Sequence, residues 1–224
     1  GSVLLLCDLL TLEGQPVEVS PRQILRRQIE RAAERGFTVK CATELEFYLF
    51  TDTYASAEAK RWRNMTTHGS SIEDYQLLQT SREEYLIARI RNEMLAAGLP
   101  IEFSKGEAGP GQHEINITYG GALETADRHL VFKNGVKEIA DQHERAATFM
   151  AKWSMDAAGS SCHLHTSLWD AATDTPLMAP AEGTTTPSGF SEVGAAWLAG
   201  HPVGLLGGRG GVAGRPALCR RPAG

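Results

Sequence analysis

An α/β or α+β domain whose sheet carries the functional site is the fold class predicted by this 224-residue sequence. Three observations carry the prediction. A helical stretch links an apolar run near the start of the chain to a longer one at Phe37 to Phe50, giving a strand-helix-strand unit. Further amphipathic helical stretches alternate with short runs of period two. Within the longer run, CATELEFYLF at Cys41 to Phe50, the acids Glu44 and Glu46 fall two residues apart and share one strand face. Buried carboxylates cost several kcal/mol unless paired, so a cationic group is expected opposite them. A solvated face of an antiparallel sheet would accommodate the same pattern.

Taken in order, Val3 to Leu10 reads as a strand and Glu13-Gly14-Gln15-Pro16 as a turn. Ser20 is an N-cap, Pro21 occupies the first helical position, and Ile24, Leu25, Ile29, Ala32 and Ala33 form a helical stripe closed by Gly36. After the strand at Phe37 to Phe50, the polar and aperiodic Thr51 to Tyr75 reads as a long loop with the character of a substrate lid. A second helix runs from Ser81 to Ala97, opened by the capping-box pattern Ser81-x-x-Glu84, striped by Leu86, Ile87, Ile90, Met94 and Leu95, and closed by Gly98. Ile101-Glu102-Phe103 is a short strand. The glycine-proline turn Gly106 to Glu114 leads into an alternating strand, Glu114 to Tyr119. A third helix covers Thr125 to Glu144. Ala147 to Lys152 is strand-like, and in the strand Cys162 to Trp169 the residues His163, His165 and Ser167 share a face. A helix starts at Ser191 to Leu198, and the pattern fails from His201. The last 24 residues hold seven glycines, four arginines and three prolines without an acid or an aromatic residue, so 201–224 is expected to be an unstructured tail with the composition of a frame-shifted end.

The composition is that of a globular chain, with 42% hydrophobic and 22% charged residues. A net charge of -5 argues against nucleic acid, which needs a concentrated basic face. The leucine run at the start is short, contains Asp8 and follows no basic segment, so no signal or membrane anchor is read there and a cytoplasmic location is expected. Cys7, Cys41, Cys162 and Cys219 lie far apart without a CxxC pair, as reduced thiols do, and Cys41 and Cys162 are expected to pack.

Three segments present polar ligands in pairs: Glu44 and Glu46, Glu107 and Glu114 across the turn, and His163 and His165. Together they outline a cation site. Carboxylates with one or two imidazoles suit magnesium or manganese better than zinc, and several acids at once suit two ions close together. Such a pair suits phosphoryl transfer, although no P-loop and no GxGxxG is present to hold a nucleotide. Taken singly, each pair is as compatible with a solvated face or an ordinary turn.

Four landmarks in order, TELEFYLF at Thr43 to Phe50, EAGPGQHEI at Glu107 to Ile115, ATFMAK at Ala147 to Lys152 and GSSCHLHTSL at Gly159 to Leu168, make the chain resemble the glutamine synthetases and their γ-glutamyl-amine ligase relatives. The resemblance implies an α+β catalytic domain with a mostly antiparallel curved sheet flanked by helices, truncated here. Residues 1–19 would be a remnant of the family's amino-terminal β-grasp domain, and 20–200 a partial catalytic domain. It further implies that Glu46, Glu107 and Glu114 hold one magnesium or manganese ion, while Glu44 and His163 contribute to a second. His165 and Ser167 would lie against the phosphates of ATP, Glu102 and Tyr119 would line the nucleotide pocket, and Glu107 and the Gly159 backbone would meet glutamate. No residue is assigned as an acid-base catalyst. The implied reaction joins the γ-carboxylate of glutamate to ammonia or an organic amine through a γ-glutamyl phosphate, in a homo-oligomer. Three departures from the family's nucleotide signature, Trp153 where a proline follows the lysine, Ala158 where an asparagine commonly precedes the first glycine, and Ser161 where a glycine stands, resemble the members that join glutamate to organic amines. The family's later arginines and last metal-ligand glutamate have no match after His201. A catalytically silent metal-binding fragment and a two-metal phosphohydrolase are the rival readings.

Overall fold

The computed structural model describes residues 3–205, with side chains through His201. The chain divides after Pro176 into two compact units. The first holds α1 (Pro21–Ala33), β1 (Phe37–Phe50), α2 (Tyr54–Ala59), α3 (Leu77–Ala96), β2 (Ile101–Gly106), β3 (Gln112–Ile117), β4 (Gly120–Gly121), α4 (Ala122–Gln142), β5 (Ala146–Thr148) and β6 (Cys162–Asp170). The second holds α5 (Glu192–Leu205), where the Oγ of Ser191 accepts from the amide of Gly194 at 2.9 Å.

All the pairings among these strands are antiparallel, so the class is α+β and not α/β. β1 is the hub. Residues 44 and 45 pair with β3 and with β6 at once, so those strands lie on opposite edges of β1. By the same overlap β4 follows β3 on its edge and β5 follows β6 on the other. The sheet is open, running β2-β3-β1-β4 along one path.

The period of two along β1 divides its side chains between two environments. Leu45, Phe47 and Leu49 join Ile115 and Ile117 of β3 in a core covered by Leu86, Ile87, Ile90 and Met94 of α3 and by Phe132, Val136 and Ile139 of α4. Burial of this order stabilises by roughly 1.5–3 kcal/mol per large apolar side chain. The two helices approach closely at Gly135, where a Cβ would stand 2.4 Å from Met94 Cε. On the opposite face, Tyr48 and Phe50 pack with Trp153, whose ring meets Phe50 edge-on at 4.9 Å between centroids. The aromatic residue that replaces the expected proline at 153 is therefore a packing element.

Several boundaries differ from the sequence reading, each for a physical reason. Val3 to Leu10 is not a strand; among the described residues it is held by a bridge between Leu10 and Pro16, by the Leu9 carbonyl accepting from the Val17 amide and by Asp8 pairing with Arg22 and Arg26, and its leucines are exposed. Ser20 precedes α1, but its side chain caps nothing, and Ile24 is exposed. The loop 51–75 contains α2, capped by Thr53 Oγ1 accepting from Ser56 N, and its far end is pinned, with Glu73 fully buried. The second helix begins at Leu77, four residues before the capping-box serine, because its buried stripe continues through Gln79 and Glu83, polar residues that satisfy each other. Leu95 is half-exposed. The strand expected at 114–119 spans Gln112–Ile117, and Tyr119 lies beyond it. The strand at 147–152 shrinks to Ala146–Thr148, and α4 runs Ala122–Gln142. Cys162 is exposed and not packed, while Cys41 is half-buried; both are free thiols. Helix α5 continues past His201, contrary to the expected break, and the remainder of the expected tail lies outside the described residues. No helix among the described residues is long and apolar enough to cross a membrane.

Asp52 organises the turn between β1 and α2. It takes hydrogen bonds from Lys60 Nζ, from Ser56 Oγ at 3.0 Å and from the Thr66 amide at 3.0 Å. The Lys60 contact foremost, then the Thr66 amide, holds its carboxyl below the ordinary aspartate range. The unfolded chain thus takes up this proton first, and the stabilisation, fully present above about pH 4, is lost as pH falls through the native value. Acid titration of urea midpoints should show this loss, and Asp52→Asn should flatten the slope below about pH 4 while lowering stability at pH 7.

Candidate metal centre

The polar face of β1 becomes a site because of its neighbours. Register places Glu44 opposite His163 of β6 and Glu46 opposite Glu114 of β3, all on the face turned away from α3 and α4. The turn between β2 and β3 then returns Glu107 to the same place. Two groups of donors result, Glu46, Glu107 and Glu114, and Glu44, Glu114 and His163, each with ligand atoms within 4.8 Å of one another. Donors around an octahedral magnesium ion at about 2.1 Å stand about 3 Å apart when adjacent and about 4 Å when opposed. Glu44 Oε2 and His163 Nδ1, at 3.0 Å, have the adjacent spacing.

The electrostatics differ from one acid to the next. Glu44 lies between two imidazoles, with His165 Nε2 2.9 Å from Oε1. Burial opposes its charge, but His165 and then His163 outweigh that and hold its carboxyl below the usual range. Glu46 has neutral partners: Gln112 Nε2 and the Ser161 amide each donate to Oε2 at 3.0 Å, and Ser161 Oγ donates to Oε1. Opposite the pair, where a cationic group is expected, Glu44 meets two imidazoles and Glu46 only neutral donors. Glu107 contacts Lys105 Nζ at 2.7 Å. Burial would weaken the charge of that lysine, yet Glu107 and then Asp74 push its pKa up.

Glu114 is the exception. It is buried, and desolvation first, then repulsion from Glu44, Glu107 and Glu46, pushes its carboxyl up despite a hydrogen bond from Asn116. A carboxylate in this position lacks the countercharge that a divalent cation would supply. The donor set of oxygens with one imidazole fits magnesium or manganese.

The residues expected around a nucleotide are less gathered. His165 joins Glu44, whereas Ser167 Oγ accepts from Trp169 Nε1 at 2.9 Å. Tyr119 reaches the same neighbourhood by stacking on Trp169 at 6.1 Å, and Lys40 Nζ sits 3.6 Å above the Trp169 ring. Glu102 stands apart, exposed at an irregularity of β2, two strands from β1. Gly159 is tied to the centre through its carbonyl, which accepts from Gln112 Nε2 at 2.9 Å, and a Cβ there would stand 2.9 Å from the Ala151 carbonyl. Sequence reasoning missed Gln112, Ser161 and Lys105 as supports. All three lie within or beside its motifs, and the signal was their placement two residues from a ligand.

The architecture defines an α+β domain with a carboxylate-rich candidate cation centre on an open antiparallel sheet. The family model for the glutamine synthetase catalytic domain matches residues 18–203, and the chain belongs to the glutamine synthetase family. It is 47% identical over 205 residues to the gamma-glutamylethanolamide synthetase of Streptomyces coelicolor, covering 92% of this chain and 43% of that protein. It is 44% identical over 195 residues to a glutamate-isopropylamine ligase of a Pseudomonas species, covering 87% of this chain and 42% of the relative. A ligand-free structure of GmaS superposes with a TM-score of 0.73 at 31% identity over 86% of this chain and 44% of that one. The chain thus spans less than half the length of these relatives.

Because Glu114 enters both donor groups, Glu114→Gln should weaken manganese binding most, by about 100-fold or more, beyond the 10–100-fold typical of losing a supporting partner. Glu46→Ala should weaken binding more than Glu44→Ala, and isothermal calorimetry on the three variants measures the order.

Proposed function

We propose that this chain supplies the metal and nucleotide side of an ATP-dependent ligase joining the γ-carboxylate of glutamate to an amine. The observation that carries the reading is the convergence of two donor groups that share the buried Glu114 on one sheet face. The names of the two relatives, which specify an ethanolamide product and an isopropylamine substrate, support an organic amine over ammonia as acceptor. Trp153 and Ala158 support it too.

In this reading Glu46, Glu107 and Glu114 hold one divalent ion, and Glu44 and His163, joined by Glu114, hold another. When bound, such ions neutralise phosphate charge and orient the leaving group. The chain's own residues prepare the place. Gln112 and Ser161 fix the Glu46 carboxylate in one orientation, and the two imidazoles keep Glu44 ionised. His165 and Ser167 face the phosphates, Tyr119 and Glu102 border the nucleotide, and Glu107 and the Gly159 backbone border glutamate. The γ-phosphoryl group passes from ATP to the glutamate γ-carboxylate, releasing ADP, and the amine then displaces phosphate from the resulting γ-glutamyl phosphate. Preorganised charge, and not a proton-transfer residue, supplies the catalysis assigned to this chain.

Assayed in a protein spanning the full length of these relatives, phosphate release from ATP should require a divalent ion, glutamate and an amine together. Ethanolamine and isopropylamine should be better acceptors than ammonia. Release without amine or glutamate would favour a phosphohydrolase, and no release with any amine would overturn the ligase reading.

A further inference from the structure

Behind the sheet, on the face opposite the candidate metal centre, lie three buried ionisable side chains that the ligase reading does not use. Glu73 of the loop before α3 is 0% exposed, and Glu83 of α3 and His113 of β3 are each 1% exposed. Their ligand atoms lie within 4.8 Å of one another, as those of the metal centre do. Their contacts, however, are already direct. Glu83 Oε2 and His113 Nε2 are 2.5 Å apart, closer than the roughly 3 Å between adjacent donors on one ion, and Glu73 Oε1 accepts from the Gly111 amide at 3.1 Å. These are the distances of a hydrogen-bonded brace, not of a coordination shell.

What the brace holds is the turn bearing Glu107. The amides of Glu73 and Asp74 both donate to the Glu107 carbonyl, at 3.1 and 3.0 Å. The Glu73 side chain reaches the other end of the same turn through Gly111, whose φ of +73° only glycine adopts without strain. The fit is close: a Cβ at Gly106 would stand 2.6 Å from Glu73 Cβ, and one at Gly69 would stand 2.1 Å from Glu73 Oε1. The Glu83 and His113 pair fixes the residue immediately before Glu114. Burying such groups is expensive, and apolar residues of similar volume would hold two elements together at lower cost. Directional hydrogen bonds add position, which a metal centre needs from its supporting groups.

We propose that Glu73 is a positioning residue for the metal centre, clamping the Gly106–Gly111 turn from behind so that Glu107 meets Glu46 and Glu114, with Glu83 and His113 anchoring the adjoining strand end. The inference rests on the reading of Glu46, Glu107 and Glu114 as ligands. It is tested by manganese binding to this chain, followed by calorimetry and by electron paramagnetic resonance, with circular dichroism reporting that each variant is folded. Glu73→Ala, which leaves the Gly111 amide without its acceptor, should weaken the affinity about tenfold. Glu73→Gln keeps that acceptor and should bind within about twofold of the parent. Ile139→Val, a truncation in the core under α4 that destabilises without touching the turn, should bind as the parent does. Should Glu73→Ala fail to fold, Glu73→Asp, which withdraws the carboxylate by one methylene, should show the same weakening. Equal affinity in the parent and in Glu73→Ala, or Glu73→Gln as weak as Glu73→Ala, overturns the positioning role alone. Absence of binding by the parent overturns the ligand reading and this inference with it.

Discussion

The structure depends on the alternation of β1. Because successive side chains point to opposite faces, the segment Glu44-Leu45-Glu46-Phe47 must place its acids on one side of the sheet and its apolar groups on the other. A slip of one residue would drive two carboxylates into the core under α3 and α4 and expose Leu45, Phe47 and Leu49. Apolar burial on one face therefore enforces the register that assembles the acids on the other. Pairing on both edges finishes the work. β3 brings Glu114 beside Glu46, and β6 brings His163 beside Glu44, each by antiparallel register alone.

Assembly of like charges has a cost, which the protein meets differently at each acid. Glu44 is balanced by imidazoles, Glu107 by Lys105, and Glu46 by neutral donors from the turn and from the strand approach. Glu114 keeps a hydrogen bond from Asn116, but burial and repulsion outweigh it. That imbalance distinguishes the face from a merely solvated one, where each acid would face water. It also explains the rigid surroundings. Gln112 Nε2 donates to Glu46 and to the Gly159 carbonyl, with Ser160 Oγ 3.2 Å away, so one side chain ties β3 to β1 and to the segment before β6.

Much of this was legible in the residues. The pairs at 44 and 46 and at 163 and 165 needed only a period of two, and the acids flanking a glycine-proline turn announced a return of the chain. Three such pairs on otherwise apolar strands already outlined a cation site, but nothing in spacing tells which strands are neighbours. Polar residues on buried faces were the blind spot. Gln79 and Glu83 extend the apolar stripe of α3 in satisfied form, which moved the helix start from Ser81 to Leu77, and Glu73 looked like part of an aperiodic loop. The leucines of Val3 to Leu10 misled in the opposite sense, because apolar character without a neighbouring edge does not make a strand. Sharing of Glu114 between the two donor groups was not foreseen either; it follows from the position of β3 on an edge of β1, which pattern cannot supply.

The most direct test is anomalous diffraction at the manganese edge from crystals of the protein equilibrated with manganese. The account predicts a peak within coordination distance of the carboxylates of Glu46, Glu107 and Glu114, and a second beside Glu44 and His163 that also touches Glu114. Manganese bound only at exposed acids elsewhere, with this face of β1 empty, would contradict it.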